Sequence, residues 1–130
     1  MACFLYQKHA GKLASPSGGY LYEDVYWIVC HAPVDKGPLG TLLVESKRHF
    51  LDFAEMLTDE AASYGILLKR LYTELRALIG AERIYSVVLL EGTPHFHAWL
   101  LPRTREMPER GVEYLQKDFT CGESSAQKLV

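Results

Sequence analysis

The sequence predicts an α+β domain with a largely antiparallel sheet. Short segments rich in aromatic and β-branched residues lie on both sides of one long segment with helical apolar spacing. Strands before and after a single helix are typical of α+β domains, because the apolar stripe of the helix needs a sheet face to cover. We therefore expect the sheet to bury one face under a helix at residues 58–79.

The first half of the chain contains three predicted strands. Residues 11–19 are rich in glycine and serine and predict a surface loop. The strands that follow lie at 20–23, 25–31 and 40–45, with a proline-bounded break at 33–38. A short amphipathic segment is predicted at 50–57.

The helix has clear start and stop signals. Thr58 is a good N-cap residue, Asp59 and Glu60 suit the positive end of the helix dipole, and Gly80 ends the helix. Its predicted apolar face consists of Tyr64, Leu67, Leu68, Leu71, Leu75, Leu78 and Ile79.

After the helix the pattern returns to strands. We expect a strand at 83–90, a tight connection at 91–93 and a pairing strand at 95–101. Beyond Arg103 the composition becomes polar, which predicts a helix at 109–117 and a disordered end after Gly122. The chain thus divides into a domain at 1–105 and a C-terminal tail, part helical, at 106–130.

Composition excludes several classes of function. A net charge of −2 argues against broad binding to nucleic acids or membrane surfaces, which need a basic field. No apolar run reaches the ~20 residues that a membrane span requires, and the N-terminus lacks the features of a signal peptide. Three scattered cysteines do not suggest a disulfide framework. We expect a reduced, cytoplasmic protein.

The most informative segment reads Thr93-Pro94-His95-Phe96-His97-Ala98-Trp99-Leu100-Leu101-Pro102-Arg103. Side chains alternate between the two faces of a strand. His95, His97 and Trp99 therefore share one predicted face, and the other face, which begins at Phe96, is apolar.

Three interpretations of the two histidines remain open at this point. They are structural residues, or they are two zinc ligands, for which His49, His9 and Cys3 are the available partners. In the third interpretation one imidazole is a nucleophile toward phosphorus, with one ring nitrogen held by a backbone carbonyl. Main-chain N–H groups around Gly92 would then approach the phosphate.

The segment resembles the signature of the histidine-triad (HIT-like) superfamily of nucleotide hydrolases and transferases, in which three histidines alternate with apolar residues. Other family features fall in the same order over residues 3–103, including Tyr22-Glu23-Asp24, Gly40-Thr41-Leu42-Leu43-Val44 and Lys47-Arg48-His49. The similarity is to the diadenosine tetraphosphate hydrolase-like branch.

This resemblance implies a five-stranded antiparallel sheet with the long helix and a short helix, in a homodimer. It implies that His97 is the nucleophile, that His95 supports it, and that the substrate is a nucleotide derivative split at the α-phosphate, such as a dinucleoside polyphosphate or a nucleoside phosphoramidate. The reaction needs no cofactor. Some members carry a structural zinc, and His49, His95 and Cys3 match three of its four ligands.

The chain departs from the family at two positions. Trp99 replaces the third histidine, which helps to protonate the leaving group, and Thr41 replaces another histidine near the phosphates. An indole N–H donates a hydrogen bond but delivers no proton. We expect Trp99, Thr93, Gly92, Thr41 and Arg103 to bind substrate, with Arg105, Lys47 and Arg48 as further nearby cations.

The leading hypothesis is a nucleotide hydrolase or transferase whose partner is a small-molecule nucleotide, not a nucleic acid polymer or a membrane. The first alternative is a nucleotide-binding module with weakened catalysis, favoured by Trp99 and Thr41. The second is a His-x-His zinc protein.

Overall fold

The computed structural model describes residues 4–9, 16 and 18–117, which form helices and five strands. The helices are α1 (Phe4–His9), α2 (Thr58–Ile79) and α3 (Val112–Gln116), with a 3-10 turn at Phe53–Glu55. The strands are β1 (Tyr20–Glu23), β2 (Trp27–His31), β3 (Leu42–Ser46), β4 (Arg83–Val87) and β5 (His97–Arg103). Within the described part of the chain, no helix has the length and apolar character to cross a membrane.

The five strands form one sheet in the order β1-β2-β3-β5-β4. Every neighbouring pair is antiparallel, which confirms the predicted α+β class. β5 lies between β3 and β4, and its register pairs Glu45 with His97 and Leu43 with Trp99. The motif strand is therefore held by backbone hydrogen bonds on both sides.

One face of the sheet carries the main core, as the alternation in the motif predicts. Phe96, Ala98 and Leu100 are fully buried there. Four residues of α2 cover them at helical spacing, namely Tyr64, Leu67, Leu71 and Leu75. The opposite face of β5 carries His97 and Trp99, so the sheet separates these two motif side chains from the core.

The bounds of α2 are those predicted, but its N-terminal cap and its apolar face differ in part from prediction. Thr58 is the first helical residue and does not cap the helix; Leu57 is at the N-cap position. The Glu60 carboxylate accepts the Leu57 N–H at 2.8 Å instead, and it also binds Arg48. Leu78, expected on the apolar face, is 65% exposed because it lies beside the buried stripe. Gly80 ends the helix in the left-handed region, as predicted.

Several strand boundaries also differ. The strands predicted at 40–45 and 95–101 begin two residues later, at Leu42 and His97, because the N–H groups of Thr41 and His95 bind the carbonyls of Pro38 and Thr93 in turns. The predicted second strand begins later, at Trp27, because Asp24 accepts the N–H groups of Tyr26 and Trp27 at 2.8 and 2.7 Å and holds a turn there. The predicted tight connection at 91–93 is wrong: β4 ends at Val87, and residues 88–96 form a longer connection. The cause is that Val88 and Leu90 pack against the core and continue no strand pairing.

Short segments near both ends of the chain lie on the motif face of the sheet. α1 reaches β3 through its last two residues, which bind Glu45. α3 is shorter than the helix predicted at 109–117, and its Tyr114 packs against Tyr85 and donates a hydrogen bond to the Pro102 carbonyl. The predictions of a loop at 11–19 and of disorder after Gly122 fall largely or wholly outside the described residues.

Candidate functional site

His97 is held by the main chain. Its Nδ1 lies 2.7 Å from the carbonyl oxygen of His95. A carbonyl oxygen only accepts, so in the neutral ring Nδ1 carries the proton and Nε2 holds the lone pair. The ring is half-buried at the start of β5. This tautomer presents an unprotonated nitrogen in a fixed direction, which is the requirement for an imidazole nucleophile.

His95 supports this arrangement from a buried position just before β5. Its Nε2 donates to the Ser46 carbonyl at 2.7 Å, and its Nδ1 lies 3.1 Å from Nδ1 of His49. Since Nε2 carries the proton of neutral His95, Nδ1 accepts and His49 Nδ1 donates. A chain of hydrogen bonds thus runs from His49 through the ring and backbone of His95 to His97.

Burial keeps His95 neutral. Desolvation lowers the pKa of His95 below its usual value of 6.5, more than the hydrogen bond to Ser46 raises it, and the charge that His49 would carry lowers it further. An imidazolium at position 95 is disfavoured, so the hydrogen-bond directions inferred for His95 are those of its favoured neutral form.

A buried ionic cluster lies beside His97. Glu45, directly opposite His97 in the sheet, is only 1% exposed. Lys8 Nζ contacts one carboxylate oxygen at 2.8 Å and His9 Nε2 contacts the other at 3.0 Å. Burial would raise the pKa of Glu45, but the hydrogen bond from His9 and the charge of Lys8 outweigh it and lower that pKa. Glu45 is therefore an anion that holds the end of α1 against the sheet.

Trp99 occupies the next position along the same face. It packs against a small apolar cluster of Cys30, Ala32 and Leu43, together with Tyr20. Burial, reinforced by the charge of Glu45, raises the pKa of the Cys30 thiol to about 11. The cluster therefore provides an apolar floor next to the histidines and no second nucleophile.

The structure brings two of the other predicted site residues close to the histidines. Thr93 lies two residues before His95, and its carbonyl accepts the His95 N–H at 2.9 Å. Gly92 precedes it in the exposed part of the 88–96 connection, where an added side chain would meet nothing within 4 Å. Both remain candidates for contacts with a phosphate.

Thr41 and Arg103 are not brought to the histidines. Thr41 precedes β3 by one residue and donates its hydroxyl to the Pro38 carbonyl at 2.7 Å, about 13 Å along the chain from Glu45. Arg103 ends β5, about 20 Å along the strand from His97. It is buried there, with Nη2 at 3.6 Å from Glu82. Arg103 ends the motif in sequence and Thr41 precedes β3, and each is separated from the histidines by the length of an extended strand.

The other predicted cations are also paired elsewhere. Arg48 binds Glu60 at the start of α2, Lys47 binds Glu23 on β1, and Arg105 lies 3.8 Å from Glu82. These ion pairs are at or near the surface, and they support the fold more directly than a phosphate site.

The described residues do not fit a zinc ion. Structural zinc takes four ligands. Among residues 4–9, 16 and 18–117, no group of three or more His, Cys, Asp or Glu side chains could hold a metal. His49 and His95 stand together, but a hydrogen bond between their ring nitrogens accounts for that contact. Cys3 lies outside the described residues.

Glu45 and Lys8 were missed from sequence alone, and His9 was named there only as a possible zinc ligand. Glu45 carried a usable signal, since it is the one charge in the strand 40–45 and falls on the face opposite the core. Lys8 and His9 carried none, because nothing in their spacing shows that a short helix folds back onto β3.

Solved structures of histidine-triad proteins are similar to most of this chain. A zinc-bound histidine triad family protein from Mycobacterium smegmatis matches with a TM-score of 0.73 and 17% identity, covering 99% of this chain and 90% of its own. A hypothetical histidine triad nucleotide-binding protein from Sulfolobus tokodaii matches with a TM-score of 0.73 and 19% identity, over 98% and 85%. A HIT family hydrolase from Legionella pneumophila matches with a TM-score of 0.62 and 17% identity, over 85% and 100%.

No protein-family model matches the sequence, and the search of curated proteins gives no match. At these identities the structural likeness establishes the architecture. The chain therefore has the HIT-like α+β fold, with five antiparallel strands and the long helix α2.

Proposed function

We propose that this protein is a histidine-triad-like enzyme that hydrolyses or transfers a nucleotide at its α-phosphate through a nucleotidyl-His97 intermediate. The substrate is a nucleotide derivative, with a nucleoside phosphoramidate or a dinucleoside polyphosphate such as diadenosine tetraphosphate as the first choices. The proposal extends to the diadenosine tetraphosphate hydrolase-like branch, a homodimer and a cytoplasmic location, all of which rest on the sequence resemblance.

The observation that carries the proposal is the 2.7 Å contact between His97 Nδ1 and the His95 carbonyl. It leaves Nε2 as the nitrogen with the lone pair and fixes the direction of that lone pair. Attack by an imidazole splits one difficult displacement at phosphorus into two easier ones. Neither step is routed through a metal in this proposal, since the lone pair on Nε2 of the neutral ring makes the bond to phosphorus.

The proposed binding contacts lie on both sides of His97. Main-chain N–H groups around Gly92 and Thr93 would bind phosphoryl oxygens, because turns with successive N–H groups form concavities for anions. Trp99 would stack on a base or another flat substrate group. We leave Thr41 and Arg103 out of the proposed site because of their positions in the fold.

A nucleotide-binding module without turnover is the alternative, and one observation favours it. The Thr41 hydroxyl is engaged by Pro38 and the Trp99 ring packs on the apolar cluster around Cys30 and Leu43. The two positions at which the sequence departs from the family therefore supply neither a charge nor a proton to a phosphate.

Intact-mass measurement tests the proposal. The protein is mixed with adenosine 5′-phosphoramidate or diadenosine tetraphosphate and quenched without acid, because phosphorus–nitrogen bonds are acid-labile. We expect an adenylyl adduct, released AMP or both. His97→Ala removes both, and His97→Gly recovers AMP release when free imidazole is added, since the small molecule occupies the vacated space.

The outcomes separate the two functions. Tight nucleotide binding without an adduct or product, in a folded protein, would establish the binding module instead. Neither binding nor turnover would contradict both nucleotide hypotheses. Turnover that persists in His97→Ala would place the nucleophile on another residue.

A further inference from the structure

Transfer of a nucleotidyl group needs a proton donor when the leaving group is an amine or an alkoxide. When the bond from phosphorus to the leaving atom breaks, the electron pair stays on that atom, and a poor leaving group must be protonated as it departs. Neither neighbour of His97 on its strand face can do this. Trp99 carries an indole N–H that is not acidic, and His95 is buried, with both ring nitrogens in hydrogen bonds.

His9 brings another imidazole to this face from α1. Its ring centroid lies 6.2 Å from that of His95 with the rings perpendicular, and 6.4 Å from that of Tyr20. The side chain is 14% exposed, so water reaches it but does not surround it. His9 is linked to the position of His97 through Glu45, whose Cβ is about 5 Å from that of its cross-strand partner.

Glu45 fixes the proton positions on His9. The carboxylate is an anion that only accepts, so His9 Nε2 donates to it across 3.0 Å. The second proton of an imidazolium then resides on Nδ1, the nitrogen on the other side of the ring. A carboxylate behind an imidazole holds its orientation and its tautomer. Lys8 binds the second oxygen of Glu45 at 2.8 Å, so the carboxylate is held from both sides.

We propose that His9 is the general acid and base of this site and that Glu45 is its positioning residue. The inference rests on the proposed function. In the first step His97 Nε2 attacks the α-phosphorus and the bond to the leaving atom breaks. The electron pair goes to that atom, which takes the proton from His9 Nδ1. The products are nucleotidyl-His97, the free amine or alcohol, and neutral His9.

The second step reverses the proton flow. Water attacks the phosphorus of nucleotidyl-His97 and gives a proton to His9 Nδ1. The phosphorus–nitrogen bond breaks, its electron pair returns to His97 Nε2, and the nucleoside monophosphate leaves. The protein ends in its starting state, with His9 again an imidazolium.

The test compares two leaving groups in the full-length protein. Adenosine 5′-phosphoramidate expels an amine and needs a proton, whereas the p-nitrophenyl ester of AMP expels nitrophenolate, a stable anion. We expect His9→Gln to lower kcat/KM for the phosphoramidate by about 10²-fold or more. The loss for the nitrophenyl ester is expected to be at least tenfold smaller. We expect Glu45→Gln to change the ratio of kcat/KM between the two substrates in the same direction.

Lys8→Met is the matched control, since it removes the other contact between α1 and Glu45. If the only role of His9 is to dock α1, then His9→Gln and Lys8→Met each lower kcat/KM for both substrates to the same extent, and the proposal is wrong. It is also wrong if His9→Gln has no effect on the phosphoramidate. Circular dichroism and the urea midpoint of each variant separate a loss of folding from a loss of proton transfer.

Failure of the proposed function gives a different result. In that case the wild-type protein forms no His97 adduct with either substrate, and the inference about His9 falls with it. If the wild-type protein forms the adduct and His9→Gln leaves the ratio of kcat/KM between the two substrates unchanged, the proposed function stands and only the inference about His9 is refuted.

Discussion

Phe96, which separates the two motif histidines in sequence, belongs to the aromatic core beneath the site. It is fully buried and contacts four aromatic rings. Its centroid lies 5.2 Å from Phe50, 5.1 Å from Phe53, 5.6 Å from Tyr64 and 5.8 Å from Trp27. Replacing a buried phenylalanine by alanine costs about 3–5 kcal/mol. Loss of four ring contacts places Phe96→Ala at the upper end, at about 4–5 kcal/mol.

Urea denaturation measures this loss. A slope of about 2 kcal/mol per molar urea is usual for a small domain, so the midpoint should fall by about 2 M. Phe53→Ala is the matched control, because Phe53 contacts Tyr64 and Phe96 itself but is 52% exposed. We expect it to cost about 1 kcal/mol. Equal losses for the two variants, or less than about 2 kcal/mol for Phe96→Ala at an unchanged slope, would refute this account of the core.

Three further predictions concern single groups. Burial lowers the folded-state pKa of His95 below 6.5, and His49 lowers it further, so the unfolded chain binds more protons at this residue than the folded chain does. We therefore expect the urea midpoint to fall as the pH drops below 6.5, and we expect His95→Gln to flatten that dependence. Gly40 has a φ of 94°, so Gly40→Ala should cost about 1–3 kcal/mol by thermal unfolding, whereas Gly92→Ala costs little. Burial raises the pKa of Cys30 to about 11, so peptide mapping at pH 8 should find it alkylated far more slowly in the folded protein than in urea.

The sequence predicted the features that periodicity encodes. The helix at 58–79 has the predicted ends because a repeat over 22 residues is a strong signal. The alternation around Phe96 placed the core face of β5 correctly. Strand ends were less predictable: Asp24 stops one strand through side-chain hydrogen bonds that any aspartate could make, and only the fold shows that it does.

The site was predictable only where its residues are neighbours in the chain. His95 and His97 are two residues apart, and the structure places them in one hydrogen-bonded chain. His9 and Glu45 are 36 residues apart, and their contact depends on how α1 folds onto the sheet. Arg103 illustrates the opposite error, since closeness in sequence along an extended strand means distance in space.

The hydrogen bond that orients His97 has a consequence for mutational studies. Its acceptor is a main-chain oxygen of residue 95, and every amino acid at that position carries the same oxygen. A saturation scan of position 95 therefore reports on the buried imidazole chain and leaves the tautomer of His97 unchanged. Only an edit of the backbone, such as a thioamide at that carbonyl, weakens the bond itself. Drift at position 95 during evolution would leave the orientation of the proposed nucleophile intact.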